Sequence, residues 1–101
     1  MTVITSTGNK LNSRMDMRFA KCSYFCFLTV DGPVFIANSF LEMEGHVAPS
    51  VVEWLKEKGV EKVITGEIGS TAQKHLKEAH IQAVLIESDK YTVNAIIKKI
   101  R

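Results

Sequence analysis

Cysteine is nearly missing from this sequence: Cys22 and Cys26 are the only two in 101 residues. Two cannot make the disulfide framework of a small secreted domain. If both lie on one extended strand, their Cα atoms stand about 13 Å apart at ~3.3 Å per residue, beyond the ~7 Å reach of a bridge. A mutual disulfide therefore requires the strand to begin after Cys22. Long apolar runs are missing too, since the longest, Tyr24 to Val30, is far short of the roughly 20 residues of a membrane-spanning helix. Residues Met1 to Gly8 carry no basic segment and no long apolar block, so no signal peptide is expected and the expected location is cytoplasmic. Repeats, low-complexity tracts and linkers are absent. A net charge of +2 is too weak to point to nucleic acid.

What is present reads as an ordinary globule, 46% hydrophobic and 24% charged, and its length suits one domain over residues 1–101. The charge is unevenly placed. Lys10, Arg14, Arg18 and Lys21 face a single acid, Asp16, within twelve residues. Such a cluster is either a solvated basic loop or one that gathers anions.

Hydrophobic patterning gives the elements in order. Val3-Ile4-Thr5 is a short opening strand, and residues 8–17 have no periodicity and read as a long loop. Tyr24 to Val30 is aromatic and β-branched, a buried strand. Asp31-Gly32 signals a hairpin, and Val34 to Ala37 returns with Pro33 marking an edge position. From Pro49 the period becomes helical. Val51, Val52 and Leu55 share one face, Pro49 is tolerated in the first turn, and Gly59 suits the left-handed cap. Lys62 to Thr65 is the next strand, and Ser70-Thr71-Ala72-Gln73 matches a capping box opening a helix that turns Ala72, Leu76 and Ala79 inward. Ala83 to Ile86 is wholly apolar, as in the interior of a parallel sheet. Thr92 caps a last helix whose Val93, Ile96, Ile97 and Ile100 form one stripe. The order β-β-β-α-β-α-β-α implies an α/β fold: a mixed five-stranded sheet with three helices, and right-handed crossovers give the strand order 3-2-1-4-5.

Several residues carry candidate chemistry. His46 precedes a helix in a loop, where imidazole can reach a cleft as a metal ligand. Cys22 adjoins Lys21, whose charge favours a thiolate, whereas Cys26 sits in an apolar run and reads as a buried small hydrophobe. Arg14 and Arg18 can face an anion, or Arg18 can pair with Asp16 and brace the loop. Gly66-Glu67-Ile68-Gly69 leads from a strand into a helix, so backbone N–H groups there can hold an anion. The turn lacks the lysine and hydroxyl of a phosphate loop. No nucleophile–base constellation or metal motif of the His-Glu-x-x-His kind occurs, and no enzyme is expected.

The spacing of Gly8, Asp16-x-Arg18-Phe19, Tyr24-Phe25, His46-x-x-Pro49, Trp54-Leu55, Gly59, Val63-Ile64-x-Gly66 and Ile68-Gly69 resembles the dinitrogenase iron–molybdenum cofactor biosynthesis family, which includes the NifX-type accessory proteins. The likeness covers nearly the whole chain. It departs at Ala20 and at Glu87-Ser88, where relatives often have glycine. The resemblance implies a ribonuclease-H-like three-layer fold without that enzyme's catalytic acids. It also implies a non-catalytic carrier of an iron–sulfur or iron–molybdenum–sulfur cluster or its precursor. A cluster donor or acceptor protein is then the expected partner, with neither nucleic acid nor membrane.

Three functions follow for testing: a cluster carrier using Arg18, Cys22, His46, Gly66, Ile68 and Gly69, with His46 and Cys22 as metal ligands; a small anion- or nucleotide-binding regulatory domain using the Gly66–Gly69 turn; and a nuclease using Asp16 and Glu67. The strand order places residues 8–22 beside 66–70 and lets the His46 loop close a third side. Without ligand, the polar 8–23 loop is expected to be mobile.

Overall fold

A computed structural model describes residues 1–100. Its elements are β1 (Thr2–Ser6), β2 (Tyr24–Thr29), β3 (Gly32–Ala37), α1 (Ala48–Glu57), β4 (Lys62–Thr65), α2 (Ser70–Glu78), β5 (Gln82–Leu85) and α3 (Val93–Ile100). The sheet order is β3-β2-β1-β4-β5, as the element pattern predicts. β1 runs antiparallel to β2 and parallel to β4, so the sheet is mixed.

β1 is the centre. Val3 and Ile4 are fully buried on opposite sides of the sheet, because successive strand side chains alternate. Val3 joins Phe25, Phe27 and Val63 in a core closed by Val51, Val52 and Leu55 of α1 and by Ala72 and Leu76 of α2. Ile4 joins Cys26 and Ile64 in a second core, closed by Val93, Ile96 and Ile97 of α3. Helices thus lie on both faces, a three-layer arrangement compatible with the ribonuclease-H-like expectation.

Local signals hold at several ends. Gly59 takes φ +82° just past α1, and the Thr92 hydroxyl accepts the Ala95 N–H at 3.1 Å to cap α3. Pro33 stands on the edge strand β3.

Four expectations are corrected. The hairpin turn is Val30-Asp31, with Thr29 paired to Gly32, and Gly32 alone takes the positive φ, at +116°. The turn thus sits one residue early, and glycine supplies the positive φ at the first residue of β3 rather than within the turn itself. Ser70 does not cap α2: it is already helical, Gly69 is the cap, and no side chain bonds the free N–H groups. The Ala83–Ile86 run is not interior. β5 is an edge strand with Ala83 and Leu85 exposed, since apolar composition does not reveal what pairs with a strand's outer side.

The fourth correction concerns the 8–23 loop, which has ample anchorage. Met15, Asp16, Phe19 and Cys22 are buried. Met15 N–H donates to Tyr91 O and Asp16 N–H to Thr5 O, while the N–H groups of Val93 and Asn94 at the start of α3 donate to Ser13 O and Leu11 O. The loop lacks periodicity because its anchors are long-range contacts, each made by a single residue.

The cysteines are both free and buried. β2 begins after Cys22, yet no bridge is possible: Cys22 belongs to the α1–α2 core and Cys26 to the α3 core, on opposite faces of the sheet.

Candidate functional site: a cleft at the carboxyl ends of the strands

β1, β3, β4 and β5 point the same way, so the segments leaving them gather at one end of the sheet. There Glu67 N–H donates to Met17 O, and Met17 and Arg18 lie directly against the start of the 66–69 turn. The approach requires glycine, since a Cβ on Gly66 would stand 2.8 Å from the Met17 Cα. Beneath the turn, the buried Thr5 hydroxyl lies 2.7 Å from both Asp16 O and Thr65 Oγ1.

Asp16 organises the loop. Its buried carboxylate accepts the N–H of Arg18 at 3.0 Å and that of Ser23 at 3.3 Å. It also accepts the Arg18 guanidinium through Nε at 3.1 Å and a terminal nitrogen at 3.2 Å. The bracing role for Arg18 is therefore real, and the hydrogen bond and charge of Asp16 raise the basicity of the guanidinium. The Arg18 side chain is still 63% exposed, so it can also face a ligand. Asn38 ties in the third segment, donating from Nδ2 to Ala20 O at 2.9 Å and Cys22 O at 2.8 Å. Neither Asn38 nor the Thr5–Thr65 pair announces itself in the sequence, because a polar residue gains such a role only from distant carbonyls.

These segments enclose a cleft of about 420 Å³ lined by Arg18, Phe19, Ala20, Lys21, Ala48, Glu67, Gly69, Ser70, Thr71 and Ala72. Two helices begin on it. Neither α1 nor α2 has a side-chain cap, and neither has an acid in its first turn. Free N–H groups and the positive ends of two helix dipoles therefore converge on one space, beside Arg18 and Lys21. Glu67 is the single acid on the wall. Sequence reasoning passes over Ala48 and Thr71; the available signal was the lack of acids at both helix starts.

The predicted residues divide. Arg18 and Gly69 line the cleft, and the space above Gly69 is open to a Cβ. Gly66 and Ile68 line a neighbouring cavity of about 380 Å³ with Met17, Glu67, Leu85 and Glu87. His46 is exposed two residues before Ala48 and is not part of the wall. Cys22 is fully buried behind that wall. Lys21 does not favour its thiolate: burial pushes the thiol well up, and the charge of Asp16 adds to it. Among the described residues, no group of three or more His, Cys, Asp or Glu side chains is placed to hold a metal ion. Nor is any helix long and apolar enough to cross a membrane.

A sequence model described as dinitrogenase iron–molybdenum cofactor matches residues 1–101. The solved apo form of the orange protein from Desulfovibrio gigas is similar with a TM-score of 0.88, covering 98% of this chain and 84% of that one at 19% identity. A candidate NifB protein from Thermotoga, solved by NMR, gives 0.80 over the same shares at 30% identity. Among curated proteins, none matches the chain.

Proposed function

From its place in the dinitrogenase iron–molybdenum cofactor family, to which this chain belongs, we propose that the protein is a non-catalytic binding or carrier protein for an iron–sulfur or iron–molybdenum–sulfur cluster or its precursor. The observation that supports this most is the convergence of two uncapped, acid-free helix starts with Arg18 and Lys21 on one open cleft. Metal–sulfide clusters are compact anions, and such a surface holds them by N–H donors and charge.

In this reading the cargo rests on the backbone of Gly69 to Thr71 and on Arg18, with Gly66 and Ile68 shaping the adjoining turn. His46, exposed two residues before α1, is the imidazole this reading assigns to the metal. Cys22 reaches cargo only if the wall of residues 19–21 opens, because its sulfur is buried and protonated. A donor or acceptor protein would exchange the cargo across the open mouth.

The test is reconstitution under argon with a synthetic four-iron cluster, reading bound iron per chain. Wild type is expected to hold cluster, His46→Ala to hold less, and Cys22→Ser to hold as much as wild type. Arg18→Ala should lose more at low salt than at high salt, as screening removes its Coulombic part. The second reading, a nucleotide- or anion-binding regulatory domain, is favoured by the same backbone donors, which suit any anion. A rise in melting temperature with phosphate or nucleotides, and no iron retained, would select it.

A further inference from the structure

The sheet ends on β3, whose outer side is unpaired. Asn38 N–H donates to Ser23 O. The alternation of an antiparallel ladder therefore turns the N–H and C=O groups of Val34 and Ile36 toward β2. Those of Phe35 and Ala37 point outward. Such an edge is a template for another strand, and proteins commonly guard it with lysine or proline. Pro33 guards only the first position. The 34 residues from Cys22 to Leu55 contain four acids, Asp31, Glu42, Glu44 and Glu53, and no lysine or arginine, so all thirteen basic residues lie outside that stretch.

Shape and charge agree along this edge. Asp31 lies in the turn that opens β3, and Glu42 and Glu44 lie in the segment that leaves it, all three exposed. Grooves flank the strand on both faces. Phe27, Val34 and Ile36 line one of about 400 Å³; Leu28, Pro33 and Ile97 line another of about 270 Å³. Lys58 also borders the first groove, its ammonium 5.3 Å from the Trp54 ring and 6.0 Å from that of Phe27, and Glu57 lies beside it in the lining.

We propose that β3 is a docking edge for an extended, basic segment of a partner protein, which adds to the sheet as a sixth strand. Backbone pairing with Phe35 and Ala37 supplies affinity, and alternate apolar side chains of the partner enter the two grooves. Its lysines or arginines meet Asp31 at the turn that opens β3 and a surrounding stretch that carries acids and no lysine or arginine, which sets specificity. The edge is separate from the cleft, so the proposal stands or falls independently of any cargo.

The probe is a synthetic peptide alternating valine and lysine, with a valine–glutamate peptide as control, followed by amide chemical shifts of the labelled protein. Shifts confined to residues 32–38 and the facing part of β2 are expected, with the glutamate peptide weaker by about tenfold or more. Ala37→Pro removes one outward N–H without touching the β2 ladder, and should weaken binding by about tenfold while the rest of the spectrum stays. Val34→Lys, at an exposed side chain, should do the same through charge and provides a second variant if Ala37→Pro does not fold. No shift at millimolar peptide overturns the proposal. So does equal binding of the glutamate peptide, or binding indifferent to both substitutions. Light scattering that shows the free protein pairing with itself through β3 overturns it as well.

Discussion

The guanidinium of Arg18 clasps the carboxylate of Asp16 as a fork, Nε to Oδ1 at 3.1 Å and a terminal nitrogen to Oδ2 at 3.2 Å. Asp16 is buried and Arg18 is largely exposed, so the pair runs from the core to the floor of the cleft. The geometry couples stability to the site: the same loop that carries the exposed cation is held by the buried anion.

Asp16→Ala removes an acceptor from two backbone N–H groups and from Arg18. Two part-buried N–H groups left without their acceptor should lower unfolding stability by about 1–3 kcal/mol. Asp16→Asn, which keeps a carbonyl acceptor, should lose less. Urea unfolding of the three proteins checks this, and equal midpoints would sink the idea that Asp16 organises the loop.

Gly66→Ala should be destabilising by about 1–3 kcal/mol, because the new Cβ meets Met17 and a crowded site must shift to admit it. Met17→Ala in the same chain should recover only part. Shortening the side chain leaves the backbone Cα, 2.8 Å from the Cβ position, in place. Full recovery would show that the side chain, not the loop backbone, sets the fit.

Thr71→Glu separates stability from binding. An acid in the first turn of α2 complements the dipole and should stabilise the protein by about 0.3–1 kcal/mol. The same charge at the cleft wall should weaken uptake of an anionic cluster, and more so at low salt. A variant that gains stability and binds as well as wild type would remove the α2 N-terminus from the site.

The buried thiols predict an alkaline limit. Burial pushes Cys26 up to about 11, and Cys22 higher still. Both are protonated in the folded protein and ionise in the unfolded chain near pH 9, the ordinary value. Their contribution is therefore fully present below pH 9 and is lost as pH rises from there toward 11. Urea midpoints should fall across that window with a slope of up to one proton per thiol, and Cys26→Ala should flatten the slope. Iodoacetamide should label neither cysteine at pH 8 until the protein unfolds.

Much of this protein is readable in one dimension. Aromatic and β-branched composition marks Tyr24–Thr29 as a buried strand, and a period of 3.6 residues marks Val51, Val52 and Leu55, because a helix buries a face defined by its own geometry. The strand order follows from the same list, since handedness and short connections leave few alternatives. Gly59 and Thr92 mark helix ends because caps are made locally.

What the sequence by itself determined, then, is every element, the order of the sheet and the end of the sheet where segments 8–22 and 66–70 meet. Only the tertiary structure decided which side chains reach the cleft there. Cys22 and Lys21 are neighbours along the chain, yet one is sealed in the core and the other is exposed. Ala48 and Thr71 are 23 residues apart and share one wall. The physical reason is that burial, desolvation and the pairing of Arg18 with Asp16 depend on what the fold packs against each residue, and residue identity and spacing do not carry that information.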